Sequence, residues 1–307
     1  MTTMNDFAGK VAVITGAGSG LGRELARHAA AQGMKLVLAD VQDDALQAIA
    51  SELESADTEI LARRVDVADG DQVDALAAAT IARFGNVHVL FNNAGVGTAG
   101  LLWESSVRDW QWSLGVNLWG VIHGVRAFTP LMLAAAQADR DYAAHIVNTA
   151  SMAGLVSNPT TGVYNAGKAA VVALTETLYH DLSLVGTQVH CSLMCPHFIA
   201  TGIHRSDRNR PDTLGNECAP TRSQRVAQAM IEKAVTSAKV SAEQMAQIAF
   251  RAIRDNAFYI FSHPRALSAV SQRSEHMLAL RNPLDPYAAR PELRAQLQQA
   301  LDAPAEH

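Results

Sequence analysis

Short apolar runs rich in β-branched residues alternate along this chain with longer segments in which apolar residues recur every three or four positions. The short runs have the composition of buried strands, and the spacing in the longer segments is that of amphipathic helices. Strands that alternate with helices form a parallel sheet covered on both faces. The pattern therefore predicts an α/β fold. The predicted strands are residues 11–15, 36–40, 60–67, 87–92, 145–149, 188–195 and 258–261.

The predicted helices are short in the first half of the chain and longer in the second. The first begins after Gly20 and ends at Gly33. A C-terminal extension, residues 262–307, follows the last strand and carries two more helical patterns, near residues 265–280 and 291–301. The remaining predicted helices are residues 43–56, 69–83, 106–136, 160–185 and 241–256.

The segment 202–225 interrupts this regular alternation. It is dense in Arg, Asn, Asp, Pro and Gly, and it follows the sixth predicted strand. Ligands of open parallel sheets bind beyond the carboxyl ends of the strands, and a long loop that leaves that edge is placed to cover them. We therefore predict that residues 202–225 form a substrate lid.

Composition narrows the class of protein. The chain has 307 residues, 49% of them apolar, so we expect a single domain over residues 1–307. The net charge of −5 gives no basic surface for nucleic acid. No apolar segment approaches the ~20 residues that span a bilayer, and the N-terminus lacks a basic start and an apolar signal core. We expect no membrane partner and a cytoplasmic location.

Cysteine and histidine usage adds two expectations. Three cysteines without C-x2-C spacing are too few for a disulfide framework. Cys191 and Cys195 are predicted to point to one face of a buried strand. The histidines show neither H-E-x-x-H nor clustered ligand spacing, so we expect no metal site.

A glycine-rich turn, Thr15-Gly-Ala-Gly-Ser-Gly-Leu-Gly22, joins the first strand to the first helix. The N–H groups and dipole of a helix N-terminus attract phosphate, and glycine allows a close approach. The turn is not G-x-G-x-x-G, because Leu21 occupies the place of the third glycine, and no Lys-Ser or Lys-Thr follows as in a Walker loop. What remains is T-G-x3-G-x-G, a pattern that by itself could also be a plain turn.

A second group of residues, around Ser151, Tyr164 and Lys168, has the composition of an acid/base site. Tyr164 and Lys168 are four residues apart on a predicted helix and share one face. A neighbouring ammonium would lower the tyrosine pKa from near ~10 by ~2–3 pH units, which corresponds to roughly 3–4 kcal/mol. Ser151, at the end of a strand, could hydrogen-bond a carbonyl or carbinol oxygen. A single Y-x3-K pair also occurs on ordinary helix surfaces.

Taken together, the motifs resemble those of the short-chain dehydrogenase/reductase family, over residues 6–261. The matching features are the T-G-x3-G-x-G turn, N-N-A-G at residues 92–95, Asn117, Ser151 with Y-x3-K thirteen residues later, and Pro196 with Thr201. The resemblance implies a three-layer, Rossmann-like doubly wound sheet of about seven parallel strands. It also implies an NAD(P)-dependent oxidoreductase.

The resemblance implies a role for each matching residue. Tyr164 would be the catalytic acid/base, Lys168 would lower its pKa and bind the nicotinamide ribose, Ser151 would orient the substrate oxygen, and Asn117 would support a proton relay. Asn92 would help to hold the central strand, and Asp66 would meet the adenine. The implied cofactor-binding residues are Gly16, Ser19, Gly20, Leu21, Gly22, Asp40, Asp66, Val67, Asn93, Ala94, Gly95, Tyr164, Lys168, Pro196, Ile199 and Thr201.

Asp40 bears on the choice between NAD and NADP. It ends the second predicted strand about twenty residues beyond the glycine turn, where a carboxylate can accept hydrogen bonds from ribose hydroxyls and would repel a 2′-phosphate. No Arg or Lys lies at Ala39, Val41 or within residues 16–22 to neutralise that phosphate. We predict that NAD is preferred and that NADP is possible. The alternative is that Asp40 caps the following helix.

The expected substrate is a secondary alcohol or ketone, apolar or aromatic and bulky. The candidate pocket residues are Trp103, Met152, Leu155, His197 and Phe198. His197 stands where the family usually has glycine. The chain end resembles longer family members that act on bulky secondary alcohols, including lignin-derived ones. The excess of arginine in the lid leaves an anionic substrate as an alternative.

Two other functions stay open, and each has a sequence feature against it. A cofactor-binding regulator with little turnover would need no acid/base tyrosine, whereas the set of catalytic residues is intact. An epimerase or dehydratase usually has a different glycine spacing.

We also expect a homodimer or homotetramer, because the helices at residues 106–136 and 160–185, which pair in the family, carry extra apolar residues. These are Leu114, Val116, Leu118, Val121, Ile122, Val171, Val172, Leu174 and Leu178.

Overall fold

Seven parallel strands form one sheet in the order β3-β2-β1-β4-β5-β6-β7. The computed structural model describes residues 4–54 and 58–302. The chain builds β1, β2 and β3 outward in one direction and then returns to place β4 on the other side of β1. This reversal opens a crevice at the carboxyl ends of β1 and β4. The strands are β1 Val11–Thr15, β2 Lys35–Asp40, β3 Ile60–Arg64, β4 Val89–Asn92, β5 Ala144–Thr149, β6 Val189–Cys195 and β7 Tyr259–Phe261.

Helices cover both faces of the sheet, and the predicted α/β class with seven parallel strands is confirmed. The predicted second helix ends at Glu54 as far as the structure describes it, and its last predicted residue, Ala56, lies outside the described residues. The helices are α1 Gly20–Ala31, α2 Asp43–Glu54, α3 Gly70–Phe84, α4 Val107–Leu114, α5 Gly120–Ala138, α6 Gly162–Val185, α7 Arg222–Thr236, α8 Ala242–Arg254, α9 Leu267–Leu278 and α10 Pro291–Asp302.

The inner strands are largely apolar because both of their faces are buried. Ala12 and Ile14 of β1 pack into a core layer with Leu25 of α1, Ile49 of α2 and Phe250 of α8. The alternate residues of β1 lie on the opposite face. Val11 and Val13 pack there with Leu76 of α3 and Phe128 of α5. This two-sided burial explains why the strands read as continuous apolar runs rather than as alternating patterns.

Three larger differences from the sequence prediction concern β3, the helix at 106–136 and the segment 202–225. The third strand ends at Arg64 rather than at residue 67, because the backbone N–H of Asp66 binds the side chain of Gln72 instead of a neighbouring strand. The predicted helix 106–136 is two α-helices joined by a π-helical turn, Gly115–Trp119. The segment predicted as a lid, residues 202–225, overlaps a helix, since a capping box formed by Thr221 and Gln224 starts α7. Its part before α7, residues 202–221, has two 3-10 turns, Ile203–Asn209 and Asp212–Leu214, and we refer to it by its predicted role as the lid.

One helical stretch corrects the expectation about membrane-spanning length. The segment Val107–Ala138 is long and apolar enough to cross a bilayer by length and composition, with a mean hydropathy of 1.3 in its most apolar window. The sequence reading missed it because polar residues such as Asn117 interrupt the run. In the fold this stretch packs on the sheet and on α6, and Asn117 and Phe128 are fully buried.

The C-terminal extension has two different environments. Helix α10 packs against α7, and the Arg222 side chain of α7 donates a hydrogen bond to the carbonyl of Ala300. Helix α9 has no buried residue. The extension therefore reaches back to the molecule through α10.

Candidate active site

A cavity of about 590 Å³ lies at the carboxyl ends of the strands, and residues from both halves of the chain line it. The glycine turn forms one part of its wall, and the segment from Ser151 to Lys168 forms another. Of the sequence-predicted site residues, those that line the cavity are Gly16, Ser19, Gly20, Leu21, Gly22, Asp40, Asp66, Val67, Asn93, Ala94, Gly95, Ser151, Met152, Tyr164, Lys168, Pro196, His197, Phe198, Ile199 and Thr201.

Two glycines of the turn are required by close backbone approach. A Cβ at Gly22 would lie 2.0 Å from the carbonyl oxygen of Gly16, so no side chain fits there. Gly16 has φ +68°, and a Cβ on it would lie 2.9 Å from the Cα of Ala94. The first turn of α1 leaves backbone N–H groups without intrahelical partners. The glycines therefore allow the turn to pack closely, and we call the cavity space in front of these donors the phosphate cradle.

Thr15 fastens the glycine turn to the end of β4. Its hydroxyl accepts hydrogen bonds from the backbone N–H groups of Asn93 at 2.9 Å and Ala94 at 3.0 Å. The Asn93 side chain donates to the carbonyl of Thr15 at 3.0 Å. This fixes the two strand ends that flank the crevice relative to each other.

Asp40 is buried at the end of β2, and both of its carboxylate oxygens accept backbone hydrogen bonds. Oδ2 accepts from the N–H of Gly18 at 2.9 Å, and Oδ1 accepts from the N–H of Gln42 at 2.9 Å. Because Gln42 immediately precedes α2, Asp40 organises the loop before the helix. The carboxylate also lines the cavity.

Lys168 and Tyr164 come together as their four-residue spacing predicts. The Lys168 ammonium nitrogen lies 5.7 Å from the centroid of the Tyr164 ring and donates a hydrogen bond to the carbonyl of Thr149 at 2.8 Å. Burial lowers the pKa of Lys168 to about 8. Burial also raises the pKa of Tyr164 to about 12, while a hydrogen bond with Ser151 acts in the opposite direction. The expected lowering of the tyrosine pKa is therefore not present in the protein alone, because desolvation by burial outweighs the hydrogen bond with Ser151.

Ser151 stands just beyond the end of β5. Its hydroxyl accepts from the N–H of Ala153 at 3.2 Å and donates to the carbonyl of Pro196 at 3.3 Å. The hydroxyl thus lies between β5 and β6, on the same cavity wall as Tyr164.

Asn117 lies behind the cavity rather than in its lining. Its side chain accepts from the N–H of Val96 at 3.1 Å and donates to the carbonyl of the same residue at 2.9 Å. A Cβ on Gly95 would lie 3.1 Å from the Asn117 side chain and 3.6 Å from the Lys168 ammonium. Asn117 therefore lies close to Lys168, and the π-helical turn that carries it is a feature often found at functional sites.

Two of the five predicted pocket residues lie elsewhere. The Trp103 side chain is 80% exposed in a short 3-10 turn, and it is not among the described residues that line the cavity. Leu155 packs against the core cluster around Val171 and Cys195 instead. Both follow loops whose direction the sequence pattern does not specify. Met152, His197 and Phe198 do line the cavity, and the His197 ring lies against Phe198.

The residues present fit an NAD-type dinucleotide. The glycine turn lines the cavity without bulky side chains at its glycines, and the carboxylate of Asp40 lies next to it. The hydroxyl of Thr149, also in the cavity lining, is buried without a hydrogen-bond partner. Within residues 4–54 and 58–302, no three His, Cys, Asp or Glu side chains are grouped as metal ligands would be.

Comparison with known proteins agrees with this geometry. A family model described as short chain dehydrogenase matches residues 10–212. This chain belongs to the short-chain dehydrogenase family.

Relatives extend the match over nearly the whole chain of this short-chain dehydrogenase. A short chain dehydrogenase/reductase from Burkholderia phymatum, solved in complex with NAD, is 54% identical, with a TM-score of 0.89 over 92% of this chain and 99% of that one. The CLA biosynthesis dehydrogenase/reductase of Lactiplantibacillus plantarum is 31% identical over 90% of this chain and 95% of that protein. The C alpha-dehydrogenase of Sphingobium sp. is 30% identical over 98% of this chain and 94% of that protein.

The cavity of this short-chain dehydrogenase also has walls that sequence reasoning missed. They come from α7, from the segment 286–293 before and within α10, and from Arg208 in the lid. The amphipathic pattern of α7 was available as a signal, but no local pattern indicates which surface a helix faces. The lining residues that these elements add include Gln228, Met230, Ile231, Ala234, Val235, Pro286, Tyr287, Arg290 and Leu293.

Proposed function

We propose that this short-chain dehydrogenase transfers a hydride between NAD and a secondary alcohol or ketone that is bulky and apolar or aromatic. The observation that carries the proposal is the meeting of Ser151, Tyr164 and Lys168 in one cavity with the glycine turn. Membership of an oxidoreductase family agrees with hydride transfer. Asp40 supports a preference for NAD, because a 2′-phosphate would meet its carboxylate.

The site residues account for the proton that accompanies hydride transfer. When bound, NAD supplies the hydride acceptor of the oxidation. Tyr164 would take the hydroxyl proton of an alcohol, or give a proton to the oxygen of a ketone. Ser151 would hydrogen-bond the same oxygen as its charge changes. Lys168 would favour the tyrosinate through its positive charge, and Asn117 would hold the backbone beside Lys168 in place.

The apolar wall opposite the glycine turn supports the substrate class. Met230 and Ile231 of α7, with Leu293 of α10, line the cavity. Burial of apolar surface stabilises a ligand by roughly 25 cal/mol per Å², so such a wall favours a bulky apolar substrate.

Turnover of added cofactor tests the proposal directly. We supply a panel of bulky secondary alcohols and follow the reduction of NAD or NADP by the nicotinamide absorbance. We expect the enzyme to have a higher kcat/KM with NAD than with NADP. Tyr164→Phe should remove nearly all turnover, at least ~10²-fold, while NADH binding persists, because the variant loses only the acid/base hydroxyl. Cofactor binding without turnover on any panel member would favour a regulator instead. A preference for NADP would contradict the role of Asp40.

The substrate class has its own test in the cavity wall. Leu293→Ala should raise KM for bulky apolar substrates several-fold and leave that for a small secondary alcohol little changed. The matched control is Met277→Ala on α9, where the side chain is 58% exposed. If the two variants have the same substrate profile, the proposed apolar wall does not contact substrate.

A further inference from the structure

One arginine of the lid crosses the crevice to the cofactor side. Arg208 lies in the 3-10 turn Ile203–Asn209 and lines the cavity. Its Nη1 donates to the carbonyls of Gly202 at 3.1 Å and Arg205 at 2.7 Å, which orients the guanidinium on its own segment. The other two nitrogens of the guanidinium contact residues outside the lid. Nε donates to the side chain of Gln42 at 3.2 Å, and Nη2 donates to the hydroxyl of Ser19 at 3.3 Å.

The positions of Ser19 and Gln42 show where the Arg208 guanidinium lies in the site. Ser19 precedes α1 at the glycine turn, and its side chain makes no capping hydrogen bond to its own helix. Gln42 lies two residues beyond Asp40 and donates its backbone N–H to that carboxylate. Arg208 therefore spans the space between the phosphate cradle and the expected position of the adenosine ribose.

Two other arginines near the cradle are already held in ion pairs. Arg23 and Arg27 of α1 are engaged by Glu52, at 2.8 Å and 2.7 Å. Lys168 is bound to the carbonyl of Thr149 at the other end of the cavity. The charged side chains in the described cavity lining are Asp40, Asp66, Lys168, Arg208 and Arg290. Of the cations in this described lining, Arg208 is the one that hydrogen-bonds the glycine turn, at Ser19, so a diphosphate bound at the turn would meet it as a compensating charge.

Another arginine of the lid, Arg210, makes a contrasting contact. Arg210 binds the Asp109 carboxylate of α4 at 2.7 Å, and the two side chains are only 13% and 8% exposed. That buried pair fixes the far end of the lid. The contacts of Arg208 with Ser19 and Gln42 are longer, exposed and made to neutral acceptors, so a phosphate, which forms stronger charge-assisted hydrogen bonds, can replace them.

We propose that Arg208 is a cofactor-binding residue carried by the lid: it exchanges Ser19 and Gln42 for the diphosphate of NAD(H) and thereby holds the lid over the bound cofactor. The inference rests on the proposed NAD-dependent function. It adds a diphosphate contact that comes from outside the glycine turn, and it couples release of cofactor to opening of the lid at its Arg208 end.

This proposal is tested by binding measurements that are made in the absence of substrate. The variants are Arg208→Gln and Arg208→Lys, and the matched control is Arg205→Gln, an exposed arginine of the same turn. NADH and ADP-ribose affinities are measured by fluorescence titration and calorimetry, and NADH release by stopped-flow mixing. Arg208→Gln should weaken both ligands by about 10-fold or more, the size expected for a hydrogen bond to a charged group, and speed release. Adenosine affinity should not change, Arg208→Lys should recover part of the loss, and Arg205→Gln should stay within about twofold of wild type.

The possible failures are separable. If Arg208→Gln binds NADH as Arg205→Gln does, with thermal unfolding unchanged in both, the arginine holds only the lid and the proposal is wrong. A loss confined to NADPH would place Arg208 on a 2′-phosphate and overturn the diphosphate assignment. If the wild-type chain itself binds no NADH, the proposed function fails, and this inference fails with it. If wild type binds NADH and turns over substrate while Arg208→Gln is unaffected, only this inference fails.

Discussion

Lys168 carries a positive charge into a place from which water is almost excluded. Its side chain is 2% exposed, and burial lowers its pKa to about 8. The same burial raises the pKa of Tyr164 to about 12, so at neutral pH the tyrosine holds its proton and the lysine is mostly charged. This combination suits proton donation to a ketone. Alcohol oxidation instead needs the tyrosinate, which a charged lysine favours.

The two directions of reaction should therefore respond oppositely to pH. Oxidation kcat/KM should rise as pH increases, because Tyr164 must lose its proton, and ketone reduction should fall over the same range. Lys168→Ala should move the rise of the oxidation profile to higher pH and lower kcat/KM by at least ~10²-fold, with weaker NADH binding. The check is a pair of pH-rate profiles for each protein. Identical profile shapes for wild type and Lys168→Ala would show that the lysine does not tune the tyrosine.

At the scale of elements, the glycine turn acts as a rigid connector rather than a flexible loop. Thr15 links it to the end of β4 through the backbone N–H groups of Asn93 and Ala94. Gly22, already inside α1, lies so close to Gly16 that backbone meets backbone. The helix N-terminus is thereby brought against the sheet edge, where its N–H groups can meet a phosphate.

A methyl group at Gly22 should disrupt this connector. The Cβ of Gly22→Ala would lie 2.0 Å from the carbonyl oxygen of Gly16, and backbone cannot yield as a flexible side chain can. We expect a loss of about 2 kcal/mol or more of unfolding free energy and of most NADH affinity. Gly186→Ala is the control, since its Cβ would meet nothing within 4 Å and its φ of 175° suits any residue. Equal stability and NADH affinity of the two variants would contradict the proposed packing.

At the scale of the whole molecule, two histidines make the fold sensitive to acid. Burial lowers the pKa of His145 to about 3 and that of His88 to about 4. His145 Nε2 lies 2.6 Å from the hydroxyl of Ser192, which itself donates to the carbonyl of Ala257, so this ring nitrogen is the donor. His88 Nδ1 accepts from the N–H of Val11 at 3.1 Å and must be unprotonated to do so. The His88 contact requires the neutral ring, and the His145 contact joins β5 to β6.

The free energy of unfolding should fall as the pH drops below 6.5. In that range the unfolded chain binds protons at His88 and His145 and the folded chain does not until about pH 4 and 3. Each histidine should cost about 2 kcal/mol at pH 5, and above pH 6.5 the effect should vanish. Urea unfolding at pH 7.5 and 5 measures this. His145→Gln should flatten the pH dependence, whereas the exposed His180→Gln should not; equal slopes would contradict the assignment.

The structure shows which residues of the two long helices are available for contacts between molecules. Val121, Val171, Val172 and Leu178, expected to contribute to a dimer interface, are buried inside their own chain. Two exposed aromatic side chains on the same helices are Trp119, 51% exposed, and Tyr179, 45% exposed, and the exposed aliphatic ones are Val107, Leu184 and Val185. We predict a homodimer or larger oligomer through these helices, weakened by Trp119→Ser with Tyr179→Ser. Light scattering should show the loss, and a wild-type mass near 32.8 kDa would contradict the prediction.

Local patterns were sufficient for the sheet, the glycine turn and the spacing of Tyr164 and Lys168. Strand and helix periodicity is a property of neighbouring residues, because burial on a sheet or helix face repeats every 2 or 3.6 positions. The four-residue spacing likewise follows from one helix turn. The class of fold and the grouping of acid/base residues could therefore be predicted, with the family resemblance supplying the roles of single residues.

Tertiary structure alone decided which distant surfaces meet. Trp103 points away from the cavity while α7 and the segment 286–293 close it, and Arg208 reaches Ser19 across 189 residues of sequence. The burial that sets the pKa values of Tyr164 and Lys168 likewise depends on the whole packed interior. No periodicity encodes these contacts, because they depend on the path of each loop and on which face of a helix its neighbours cover. Proximity in space, not in sequence, determines the charge and the walls of the site.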